Sequence, residues 1–93
     1  MTASKNVIKG DILPPQIRAA RALLAWSQDK LAAACALPKR TIARLEVGAT
    51  RPQRRTVAAI RAALETAGVE FIPENGGGAG VRLAKPTAGQ SAP

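Results

Sequence analysis

Ninety-three residues make one small domain with too little core to hide a catalytic cleft, so function is expected on a surface. Fourteen Lys and Arg against six Asp and Glu give a net charge of +8, and the excess is local: residues 27–55 hold seven cations and two acids, residues 56–75 one cation and three acids. With no His and a single Cys, a zinc site and an internal disulfide are excluded, and without paired carboxylates beside an evident nucleophile an enzyme is a distant third reading and no cofactor is expected.

Residues 1–11 carry Lys5 and Lys9 without sustained periodicity and read as a flexible N-terminal arm. Ile12 and Leu13 fold back on the domain, and Pro14-Pro15 gives an extended approach to a first helix over about 15–25. Its inward residues are Ile17, Ala20, Leu23 and Leu24, with Arg18 and Arg21 on the other side. Trp26, the one tryptophan, closes this helix against the next as a core anchor.

Ser27 is a good N-cap for a second helix, and Asp29 suits the positive end of its dipole, while Lys30 stands where a capping box wants Glu or Gln. Ala32, Ala33 and Ala34 supply helix propensity without bulk, which lets another helix cross closely. Cys35, in helical spacing with Leu31, reads as a small apolar residue and not as a redox sensor. Pro38 has no amide hydrogen to lose and a preset φ, so it opens a third helix and places a tight corner near Ala36-Leu37.

From Pro38, the spacing of Ile42 and Leu45 fixes one inward face shared with Leu31. Lys39, Arg40, Thr41 and Arg44 are left outside, as is Gln28 on the preceding helix. Two short helices joined by a corner form a helix-turn-helix, whose second helix meets base edges in the major groove of double-stranded DNA. There Lys39, Arg40 and Arg44 can pair with guanine acceptors, and Thr41 with base or phosphate. A merely solvated cationic face explains the total charge but not its concentration on this unit, which suits a polyanion.

Gly48 is placed to end the third helix in the left-handed region, and the loop 49–51 leads to Pro52 and a fourth helix over 53–67. Val57, Ile60 and Leu64 should face Leu31, Ile42 and Leu45. Arg51, Arg54 and Arg55 gather at the helix start, where free amide hydrogens favour a phosphate. Beyond Gly68, Val69-Glu70-Phe71-Ile72 and Val81-Arg82-Leu83 have strand character on either side of a glycine-rich turn, predicting a β-hairpin over 69–84. A phosphate-loop reading of those glycines fails for want of the following helix and its Lys-Ser/Thr. The hairpin edges attract another strand, making Val69, Phe71, Ile72, Val81 and Leu83 candidate dimer contacts; the competing reading has them cover the monomer core. Residues 85–93 are expected to be disordered.

The runs Trp-Ser-Gln-x-x-Leu-Ala at 26–32, Thr-Ile-x-x-Leu-Glu-x-Gly at 41–48, Arg-Pro at 51–52 and Thr-Val-x-x-Ile-x-x-x-Leu at 56–64 resemble the Cro/cI-type (XRE-family) helix-turn-helix regulators over about residues 16–68. The segment 67–83 is similar to the tail of a bacterial subgroup of them. The resemblance implies a mainly α, lambda-repressor-like bundle of four to five helices with a short C-terminal hairpin. It implies sequence-specific binding to an inverted-repeat operator as a homodimer, usually in repression, in the bacterial cytoplasm. By position, Ser27 and Gln28 match phosphate contacts, Lys39, Arg40 and Arg44 match base-reading positions, Thr41 matches a base or phosphate contact, and Glu46 a structural acid. Two departures stand out: Ala36 where a turn glycine is common, and Arg54 where an apolar core residue is common. The alternative is an interaction adaptor, an antitoxin or antiactivator, using the same fold on a protein partner. No apolar run approaches the roughly 20 residues of a membrane span.

Overall fold

The computed structural model describes residues 12–49 and 51–85. The N-terminal arm with Lys5 and Lys9, Thr50, and the tail from residue 86 lie outside them. Among the described residues the chain forms α1 (Pro14–Leu24), α2 (Gln28–Cys35), α3 (Lys39–Glu46), α4 (Arg54–Thr66), β1 (Val69–Ile72) and β2 (Gly80–Leu83).

Each boundary has a local cause. Proline opens α1, and Gln16 reinforces that start by accepting the Leu13 amide hydrogen at 2.7 Å. Ser27 caps α2 by accepting from the Lys30 amide at 3.0 Å, the half of a capping box that Lys30 itself cannot reciprocate. The corner falls at Ala36, which takes the left-handed conformation (φ 57°) despite its Cβ, as does Ala25 (φ 58°) after α1. Each such residue carries about 1 kcal/mol of strain that glycine would not. Gly48 takes φ 72° after α3, as its position predicted.

The helices enclose one core in which Leu31, Ile42, Ile60 and Leu64 are fully shielded, joined by Ile12, Ile17, Ala20, Leu45 and Val57. Fully burying each such side chain contributes about 1.5–3 kcal/mol, so α3 is clamped by Ile42 and Leu45 from beneath. Leu23 departs from the predicted inward set: it lies on the outer face of α1 with Ala19 and Ala22, while Leu24 packs against the core. Leu13 is likewise exposed at the helix start.

The hairpin pairs Val69 with Leu83, Glu70 with Arg82, Phe71 with Val81 and Ile72 with Gly80. Strand alternation sends Val69 and Phe71 into the domain core, at 2% and 7% exposure, and Glu70 and Arg82 outward as an ion pair. Val69 and Phe71 are therefore occupied core positions, a correction to their assignment as dimer contacts; Ile72, Val81 and Leu83 stay half-buried. Two polar devices seat the sheet. The buried Gln16 amide donates to the Gly80 carbonyl at 2.9 Å, and the Arg61 guanidinium lies 5.3 Å from the centre of the Phe71 ring.

Candidate nucleic-acid interface

Seating Ile42 and Leu45 in the core turns the opposite face of α3 to solvent. Lys39, Arg40 and Arg44 are exposed on it, with Thr41 half-buried among them. Arg40 and Arg44 engage no carboxylate among the described residues. Lys39 is different: its Nζ lies 3.7 Å from a carboxylate oxygen of Asp29, bringing the first turns of α2 and α3 together across the corner. Both groups are well exposed, so the pair is weak and open to exchange.

Neither α3 nor α4 has a side-chain cap. Pro38 and Gln53 stand at the cap positions, leaving first-turn amide hydrogens open to an anion. Between the two helices lies a shallow cleft of about 210 Å³, with Thr41 and Arg44 on one wall and Arg51, Gln53 and Thr56 on the other. Arg54 and Arg55 are exposed on the first turn of α4, outside that cleft. The trio predicted as a clamp thus divides, with Arg51 beside the α3 residues and the other two further along. Arg54, at a position where an apolar residue is common, faces solvent.

The rigidity of this surface comes from a buried hub. Glu46, the last residue of α3, is 1% exposed. Its carboxylate accepts from Arg21 Nε at 2.6 Å and from Arg21 Nη2 and Gln28 Nε2 at 2.9 Å each. Arg21 Nη1 also donates to the Trp26 carbonyl at 2.9 Å, and Arg18 Nη1 donates to the Glu46 carbonyl. One carboxylate therefore ties α1, α2 and α3 together. Burial alone would push its pKa up, but the hydrogen bonds from Arg21 and Gln28, with the charges of Arg21 and Arg18, hold it below the usual carboxylate value. The same hydrogen bond raises the pKa of Arg21.

This hub corrects two sequence expectations. Gln28 is half-buried against Glu46 instead of left outside, and Arg18 and Arg21 reach the end of α3 instead of lining an outer face. The signal was present in the spacing: Glu46 follows Ile42 by four residues, which puts a carboxylate on the inward face and demands a cation there. Ser27 remains exposed at the start of α2, its hydroxyl engaged as the cap. Trp26 packs partly against the core with Lys30 Nζ 5.6 Å from its ring centre. The Cys35 thiol is half-buried, donates to the Leu31 carbonyl at 3.0 Å, and has its pKa raised by burial.

No helix among the described residues is long and apolar enough to cross a membrane. None of the curated proteins compared with the chain matches it. A helix-turn-helix family model (HTH_3) matches residues 17–71, more than half of the chain, spanning all of α2, α3 and α4 and most of α1. The chain therefore belongs to the Cro/cI-type (XRE) family of DNA-binding helix-turn-helix regulators.

Proposed function

We propose that the chain binds operator DNA as a homodimer and represses the adjacent promoter, with α3 inserted in the major groove. The observation that carries this reading is the pair Arg40 and Arg44: two guanidinium groups without a carboxylate partner among the described residues, on a helix whose opposite face is locked in the core. Lys39, Arg40, Thr41 and Arg44 read base edges; Arg and Lys pair with guanine, and each good bidentate contact discriminates by about 1–3 kcal/mol. Ser27, Gln28, Arg51, Arg54 and Arg55 hold phosphates on either side, setting register without reading sequence. Two copies related by a twofold axis place their α3 helices about 34 Å apart, which requires an inverted repeat with half-sites one turn apart. The hairpin joins the copies through its open edge, with Ile72, Val81 and Leu83 as contacts above the buried Val69 and Phe71.

Parallel substitutions test the division of labour. Arg44→Ala should cost about 1–3 kcal/mol on the operator and relax base preference, whereas Arg54→Ala should weaken operator and random DNA alike and lower the salt slope by about one. Equal losses on both DNAs for Arg44→Ala would reverse the assignment.

A further inference from the structure

Gln28 is the one phosphate candidate whose side chain is held by a buried charge. A primary amide has two N–H donors and one carbonyl acceptor. Here one donor is committed to Glu46 Oε1 at 2.9 Å, which orients the amide plane, while the residue remains half-exposed at the first position of α2 beside the Ser27 cap. The second N–H has no partner among the described residues and is left for an outside acceptor. Glu46 cannot yield easily, since Arg21 grips both of its oxygens and Arg18 holds its backbone carbonyl.

We propose that Glu46 is a positioning residue for DNA binding: buried out of reach of the duplex, it holds Gln28 so that the free amide hydrogen meets a backbone phosphate oxygen. The proposal rests on the reading of Gln28 as a phosphate contact. It assigns the end of α3 a task at the start of α2, so that the helix carrying the base-reading side chains also sets the backbone contact next to it. A freely rotating glutamine would have to be ordered at binding; a pre-oriented one does not.

A double-mutant cycle with Q28A and E46Q tests this, using a duplex carrying the selected operator and a random duplex, with folding of each variant verified by circular dichroism at the assay temperature. Salt-dependent retention of the wild type on DNA tests the underlying function separately. Q28A should weaken wild-type binding about tenfold, the worth of one hydrogen bond to a charged group, on both duplexes, with the salt slope unchanged because no charge is lost. In the E46Q background the same change should cost less than about twofold, because an amide offers one acceptor oxygen where the carboxylate offers two, Arg21 competes for it, and the Gln28 amide loses its fixed orientation. The comparison within one background cancels the long-range effect of removing the carboxylate charge. Should E46Q fail to fold, E46D, which keeps the charge but shortens its reach, serves in the same cycle. A tenfold loss from Q28A in the E46Q background equal to that in the wild type, or no loss from Q28A in the wild type while the wild type binds DNA, would overturn the proposal and leave the DNA-binding function standing. A wild type that binds no duplex would overturn both.

Discussion

Arg21 on α1 and Glu46 on α3 are joined by two hydrogen bonds, 2.6 and 2.9 Å long, with the Glu46 side chain 2% exposed and that of Arg21 20%. A pair this shielded is asymmetric: removing the cation strands a buried carboxylate, while removing both charges removes the problem. Arg21→Met should therefore destabilise the fold by about 3 kcal/mol at neutral pH, and the double variant R21M/E46L should recover most of that loss. Urea denaturation reads both. An Arg21→Met protein as stable as the wild type would show that the pair carries no strength.

The same pair sets an acid limit. Because the folded-state pKa of Glu46 is lowered, its contribution is fully present above its ordinary value of 4.5 and is lost as pH falls through the folded value. The stability gap between wild type and E46Q should accordingly be constant near neutrality and close progressively below about pH 4.5. Denaturant midpoints of the two proteins across that range test it; a gap that widened on acidification would reverse the sign.

On the proposed function, Asp29 works against the duplex. Its carboxylate lies 3.7 Å from Lys39 Nζ, so at the face proposed to meet DNA it would both occupy a proposed base-reading cation and repel phosphate. Asp29→Asn should change fold stability by less than about 0.5 kcal/mol, since the pair is exposed, yet tighten binding to operator and random DNA and steepen the salt slope by up to about one. A fluorescence-anisotropy titration at several salt concentrations decides; weaker binding by the variant would mean the carboxylate itself is a favourable contact.

The corner carries removable strain. Ala36 holds φ 57° with its side chain exposed, so Ala36→Gly loses no packing and should stabilise by about 0.5–1 kcal/mol, raising Tm by a few degrees. Calorimetry showing a lower Tm would indicate that the added freedom of glycine in the unfolded chain outweighs the strain.

Much of this was legible in the sequence because its signals are local. Pro38 and Gly48 bracket α3, Ser27 caps α2, and Ile42 with Leu45 tells which side of α3 faces in. What escaped depends on partners distant in sequence. Arg21 looks like any exposed arginine until α3 brings Glu46 to it, and Gln16 looks like a surface amide until β2 presents the Gly80 carbonyl. The apolar character of Leu23 predicts an inward position, yet Ile17, Ala20 and Leu24 already fill that face of α1. The hairpin alternation is readable, but whether Val69 and Phe71 serve the core or another copy depends on where the sheet docks, to which Gln16 contributes from 64 residues away.

Selection of bound sequences from a random duplex pool at physiological salt tests most directly whether α3 reads bases. The expected result is an enriched inverted repeat with half-site centres about 10–10.5 base pairs apart, with guanines within each half-site. A retained pool without any enriched motif, or no salt-dependent retention at all, would contradict it.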